Sequence, residues 1–311
     1  MNIVIVINQM FSILLIIGLG YVCAKADIID KDKSTFLSDM IIKVFNPAII
    51  FSSVLSNSQG GQNQYVGLTF LVAGISYGLV IILSKILAPH LTDIRKEQPL
   101  YEMMFIFSNL GFIGIPLVSS MFGTSCLIYV AIFILEYNII FYVYMAIILS
   151  SQDGHGFHLS DLKAMINPGT ISCLLTLLVF LTGIRLPDTI SSTICSVGNV
   201  ATPLALMVIG VTIGLQEDLP GRLCDIKLYI ISLIKLILIP VFGILLMKKC
   251  HIPEIVGQIS TIMLAMPVGT MPLIFAQEYH AGEEACSNNV IISTLLTLFT
   301  LPFIVFLYPH L

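Results

Sequence analysis

The stretch Ala265-Met266-Pro267-Val268-Gly269-Thr270-Met271-Pro272 lies in the middle of an apolar run from Ile255 to Ala276. Ser108-Asn109-Leu110-Gly111-Phe112-Ile113-Gly114-Ile115-Pro116 lies in the middle of another, from Leu100 to Phe122. Neither stretch can remain a regular helix. Proline removes a backbone donor and clashes with the preceding turn, while glycine relaxes the backbone, so amides and carbonyls are freed. At membrane depth such groups cannot face lipid and must be buried in protein or line a watery cavity. Two broken segments running in opposite directions bring their ends together near the bilayer centre, where secondary transporters build their substrate sites. Half-helices starting near Pro116 and Pro272 direct partial positive charge there and favour an anion. A pair of packing kinks with no ligand is the plainer alternative.

Composition makes these runs membrane segments. Of 311 residues, 57% are apolar and 10% charged, and the mean hydropathy is +0.99. With 14 Lys+Arg against 18 Asp+Glu the net charge is -4 and there is no basic face. A cytosolic enzyme, a secreted module and a nucleic-acid binder are excluded on these grounds. A spanning helix needs about 20 apolar residues to cross about 30 Å of hydrocarbon. Ten runs qualify: Ile3 to Ala24, Ser34 to Leu55, Tyr65 to Ala88, Leu100 to Phe122, Ser125 to Leu149, Pro168 to Gly183, Ser191 to Leu215, Leu228 to Met247, Ile255 to Ala276 and Ala285 to Tyr308. The expected fold is an all-α integral membrane protein of ten transmembrane helices, one transporter domain over 1–311. The first run lacks a preceding Lys or Arg and is a full span long, so it reads as a retained helix rather than a signal peptide. Lys25, Lys31, Lys33, Lys85, Arg95, Lys96, Lys163, Arg222 and Lys227 fall in joints on one side, against Arg185, Lys248 and Lys249 on the other. The positive-inside rule makes the first side cytoplasmic and both termini extracytoplasmic in the cell membrane.

Three helix-breaking landmarks recur at an offset of 156 residues: Pro47 with Pro203, Pro116 with Pro272, and Gly111 with Pro267. Five spans separate the copies, so the second is inverted relative to the first. The expectation is two inverted five-helix repeats, 1–150 and 163–311, with helices 4 and 9 broken.

Side chains near this depth are the candidates for chemistry. The amide of Asn109 precedes the break and can hold a carboxylate. Glu136 and Asn138 lie near the middle of the fifth run, where a charged carboxylate is costly and is usually functional or paired. Glu136 reads equally as a proton-coupling group or as the partner of a buried lysine. Lys235, in the middle of the eighth run, reads as a counter-charge to Glu136 or Glu102, or as part of the surroundings of an anion site. Lys43 can snorkel to the interface. Asn46-Pro47 and Thr202-Pro203 are expected to flank the central region from the two repeats. Glu102 and Gln258, also 156 apart, lie in first turns. His155 and His158 have no further ligands nearby, and the seven cysteines form no CxxC pair, so neither a metal site nor a cofactor is expected. No HExxH, P-loop or GxSxG motif occurs, which removes the usual grounds for a protease, a pump or a hydrolase.

In this order, several of these stretches carry a family likeness. They are Leu15-Ile16-Ile17-Gly18-Leu19-Gly20-Tyr21, Asn109 through Pro116, Asn167-Pro168, Gly198 through Gly214, and Met263 through Tyr279 followed by Ser293-Thr294-Leu295-Leu296. The chain resembles the auxin efflux carrier family, which includes permeases for malate, malonate and similar acids. The resemblance implies ten helices in two inverted repeats, with helices 4 and 9 crossing at their prolines to form the substrate site. It also implies an elevator-like movement of a transport unit against a scaffold, and a homodimer. In the plant members an asparagine seven residues before the crossover proline contacts the substrate carboxylate, a spacing that Asn109 and Pro116 match. A polar residue of helix 5 is used as well, here Asn138 or Glu136. The substrate site expected on these grounds comprises Asn109, Gly111, Gly114, Pro116, Asn138, Pro267, Thr270 and Pro272. The joint from Ser150 to Lys163 is too short for a large regulatory loop, so phosphorylation control of that kind is not expected, and a carrier of small carboxylates fits better than an auxin carrier. A proton or sodium ion is the candidate coupling ion. A sodium-coupled symporter resembling the bile acid carriers and a non-transporting carboxylate receptor are the alternatives.

Overall fold

The computed structural model describes residues 3–55, 63–153, 168–215, 225–279 and 282–311. His155, His158, Lys163, Asn167, Arg222 and most of the joint after Ser150 lie outside the described residues. In chain order the α-helices are α1 (Ile3–Lys25), α2 (Lys31–Met40), α3 (Asn46–Leu55), α4 (Val66–Leu91), α5 (Gln98–Ile106), α6 (Ile115–Phe122), α7 (Leu127–Asp153), α8 (Pro168–Thr182) and α9 (Asp188–Gly198). They continue with α10 (Ala201–Gly214), α11 (Ile226–Leu233), α12 (Ile239–Lys249), α13 (Glu254–Leu264), α14 (Met271–Tyr279) and α15 (Glu283–Leu307). No strand occurs among the described residues. Six helical stretches are long and apolar enough to cross a membrane: Lys31–Ser52, Val66–Leu91, Thr124–Phe141, Asp188–Gly214, Ile226–Lys249 and Glu284–Leu307. Four shorter apolar helices, Phe11–Lys25, Leu110–Phe122, Pro168–Thr182 and Glu254–Leu264, accompany them. The protein is an all-α, multi-pass membrane protein.

Three π-helical turns punctuate these helices, at Ile41–Phe45, Leu110–Gly114 and Ile234–Leu238. Each is followed, two residues on, by a proline: Pro47, Pro116 and Pro240. The cause is the missing N–H. In an α-helix these prolines would have donated to Lys43, Phe112 and Leu236, all inside the π turns. The helix widens instead, so that the Asn46 amide reaches back to Ile41 O and the Ile239 amide to Ile234 O. Such single-turn π bulges concentrate at functional sites.

Internal packing divides the chain into two compact units. The first comprises Met1–Thr69, Leu110–Leu135 and Asn167–Asp218; the second comprises Phe70–Asn109, Glu136–Ile166 and Leu219–Leu311. In the first unit α1 lies along α10, while α3 packs on α8 and α9. The α1–α10 seam is built on glycine: a Cβ on Gly20 would run into the Met207 carbonyl and one on Gly210 into the Ile17 carbonyl. Close backbone approach of this kind is how membrane helices gain packing where the hydrophobic effect between them is absent. In the second unit α11 packs on α15 and α12 on α13, and α14 lies against α5 and α15.

Candidate functional site

The second unit contains a place where two chain segments leave helical geometry together. Helix α5 stops at Ile106, and Phe107 is extended, with φ -95° and ψ 102°. Helix α13 stops at Leu264, and α14 begins only at Met271. Between these ends, residues 107–109 and 267–269 run antiparallel, with Ser108 opposite Val268. The Asn109 amide donates to Pro267 O at 2.7 Å and the Gly269 amide to Phe107 O at 2.9 Å. Val268 N–H donates to Ser293 Oγ at 3.1 Å. Gly269 is required by proximity: a Cβ there would lie 2.9 Å from Ser108 O and 3.1 Å from its carbonyl carbon.

Breaking α5 frees its last carbonyls. In a continuous helix Asn109 N–H would bond Phe105 O; with Asn109 turned to Pro267, Phe105 O accepts from Lys235 Nζ at 2.6 Å. Lys235 is 1% exposed and sits in the π turn between α11 and α12. One turn before it, Ser232 Oγ donates to Asn289 Oδ1 at 2.8 Å, and Asn289 Nδ2 donates to Met104 Sδ at 3.1 Å. Ser293, whose Oγ receives Val268, donates in turn to Asn289 O at 2.6 Å. The broken backbone is thus matched by two buried side chains, Lys235 and Ser293, as buried backbone groups require.

Of the candidates in this unit, Asn109, Pro267 and Pro272 are buried and Thr270 is half-buried at the break. Asn138 is buried on α7. Its neighbours Tyr137 and Phe141 meet Phe107 edge-on, with ring centroids 5.2 and 5.1 Å apart, so this turn of α7 packs against the break. Glu136 is half-buried, its Oε2 3.4 Å from where a Cβ on Gly74 would stand, over α4. Lys235 meets neither Glu136 nor Glu102, whereas Lys33–Asp30 and Lys43–Asp39 are ion pairs, both exposed.

The remaining candidates belong to the first unit. Gly111 and Gly114 lie in the π turn Leu110–Gly114, which packs on α10, and Pro116 is buried in the first turn of α6. Asn46 is brought to Gly111: its Nδ2 lies 2.9 Å from where a Cβ on Gly111 would stand, and its buried Oδ1 has no hydrogen-bond partner among the described residues. Pro47 O accepts from Ser172 Oγ at 2.6 Å. Thr202 and Pro203 open α10, with Pro203 exposed.

Reading the sequence passed over Ser232 and Asn289, and noted Ser293 only within a family likeness. The available signal was Asn289, Ser293 and Thr297, a polar side chain on every fourth residue of an otherwise apolar helix, which puts all three on one face.

A family model described as membrane transport protein matches residues 5–305. An uncharacterized transporter of Methanocaldococcus jannaschii is 22% identical over 292 residues, covering 92% of this chain and 93% of its own length. An uncharacterized transporter of Methanothermobacter thermautotrophicus is 23% identical over 299 residues, covering 95% and 96%. Auxin efflux carrier component 8 of Arabidopsis thaliana is 28% identical over 141 residues, 44% of this chain and 38% of that protein. The match extends over nearly every described helix, and the chain belongs to the membrane transport protein family, the membrane transporters of auxin efflux carrier type.

Proposed function

We propose that the protein is a secondary transporter of small organic anions, carboxylates such as malate or malonate, working by elevator-type alternating access. The observation that carries this reading is the antiparallel pairing of 107–109 with 267–269. Non-helical backbone at membrane depth is tolerated only in protein or beside a cavity, and transporters use it to bind substrate. The start of α14 just after the pairing favours an anion. Six long and four short apolar helices support ten crossings, and the two breaks lie near the offset expected of inverted repeats 1–150 and 163–311. In this reading Asn109 and Asn138 hold the carboxylate, with Gly111, Gly114, Pro116, Pro267, Thr270 and Pro272 shaping its site. Asn46, Pro47, Thr202 and Pro203 support the breaks, and Glu136 carries the coupling proton. The carrier works as a homodimer in the cell membrane with both termini outside.

The test is uptake of radiolabelled malate and malonate into proteoliposomes under a proton gradient, a sodium gradient or none. Proton-driven accumulation that Asn109→Ala abolishes is the expected result. Neither accumulation nor exchange under any gradient refutes the reading, and a Glu136→Gln protein with full proton-driven uptake removes Glu136 from the coupling.

A further inference from the structure

Lys235 is the one fully buried charged side chain among the described residues, and what its ammonium touches differs from the counter-charge to Glu136 or Glu102 that the sequence suggested. It meets no carboxylate among the described residues. It ends on Phe105 O, 2.6 Å away, in the last turn of α5. That carbonyl lacks its helical donor because the chain breaks at Phe107 and Asn109 N–H is committed to Pro267 O. The end of a helix is also the negative end of its dipole. Unwound carbonyls and half-helix C-terminal ends at a midplane break are the groups with which ion-coupled transporters coordinate sodium. Here those groups receive a covalently tethered cation through a charge-assisted hydrogen bond, delivered by a π turn that Pro240 imposes on the neighbouring helix.

We infer that the Lys235 ammonium is a built-in monovalent cation, occupying the place at the end of α5 that a dissolved sodium ion would otherwise fill. It holds the broken end in position while the carrier dispenses with sodium. A cavity made by truncating this side chain is a site for a small alkylammonium ion. The consequence for transport rests on the proposed carrier function; the cation site itself does not.

The experiment uses the full chain purified in detergent and in proteoliposomes. Lys235→Ala removes three methylenes and the ammonium, which n-propylammonium replaces atom for atom. Lys235→Ala is expected to melt several degrees below wild type and to transport about tenfold more slowly, as befits loss of a hydrogen bond from a charged donor. Propylammonium should restore both, whereas 1-propanol, of equal length and uncharged, should restore neither. Equal rescue by propanol, or rescue by neither, overturns the inference. If Lys235→Ala does not fold, Lys235→Met keeps the length without the charge; a Met variant as stable and active as wild type overturns it too. Replacing sodium by N-methylglucamine should leave wild-type melting and uptake unchanged, and a sodium requirement overturns the inference. Absence of carboxylate uptake by wild type would count against the carrier reading alone, since the melting measurements need no substrate.

Discussion

The substitution Gly269→Ala tests the paired break directly. The glycine is buried, and its φ lies outside the left-handed region, so alanine is acceptable to its own backbone and the effect isolates the contact across the pair. The added Cβ would stand 2.9 Å from Ser108 O, 3.1 Å from Ser108 C and 3.3 Å from Asn109 N. All three are backbone atoms, which cannot rotate away. Carbon and oxygen reach ordinary contact near 3.4 Å, so the two segments must separate by about half an ångström. That stretches the 2.7 Å and 2.9 Å bonds past about 3.2 Å, the upper end of good N–H···O geometry. Two such bonds contribute about 1–3 kcal/mol together, and about twice that if their buried groups stay unmatched. The assay is thermal unfolding in detergent beside proteoliposome uptake. Gly18→Ala serves as control, since nothing lies within 4 Å of the Cβ it would add. Gly269→Ala should melt several degrees below wild type and lose most of its uptake, and Gly18→Ala should match wild type. A Gly269→Ala protein with unchanged melting and uptake would mean that the pairing is not formed as described.

Gly210→Ala should be far more damaging to assembly than to any one step of transport, because its Cβ would run into Ile17 O along the whole α1–α10 seam; loss of the monodisperse peak in size-exclusion chromatography checks this. Ser293→Ala leaves the buried Val268 N–H without the acceptor that Ser293 Oγ supplies, which should cost about 1–3 kcal/mol, read as a lowered melting temperature that Ser293→Thr largely restores. Ser108 and Val268 face each other with the flanking residues exchanging the hydrogen bonds, the pair type with Cα atoms about 4.5 Å apart, short enough for a disulfide. The double variant Ser108→Cys with Val268→Cys should therefore cross-link on mild oxidation, and uptake should survive the cross-link; loss of uptake that a reductant restores would show that the pairing opens during the cycle.

Much of this was legible in the residues and some was not. Pro267 announces a break because a proline withholds the donor that a helix needs, and local rules are what a single sequence states; the break at Phe107–Asn109 contains neither glycine nor proline, and Gly111 lies in the helical π turn after it. The apolar runs announce membrane helices for the same reason. What each freed carbonyl then bonds is a tertiary choice. Lys235 in mid-run is expensive anywhere in a membrane helix, so its presence signals a compensating group. Whether that group is the carboxylate of Glu136 or the carbonyl of Phe105, 130 positions earlier in the chain, depends on which faces of α5 and the π turn meet. Periodicity carries no such information. Asn289 and Ser293 were readable as a polar stripe, but the partner of Ser293, the amide of Val268, exists as an open donor only because its own segment is extended.

All the partners that complete the break share one feature: they belong to the same compact unit. Pro267 O, Phe107 O, Ser293 Oγ and Lys235 Nζ all fall within Phe70–Asn109 or Leu219–Leu311. A break whose exposed amides were matched from another unit would have to be rematched whenever the units shifted. Each unmatched buried group would then add about 1–3 kcal/mol to the barrier. A self-contained break carries no such penalty, so a movement that displaces this unit as one body leaves the pairing untouched. Opening of the pairing is then no part of the proposed cycle, which is why the disulfide between positions 108 and 268 should be silent in transport.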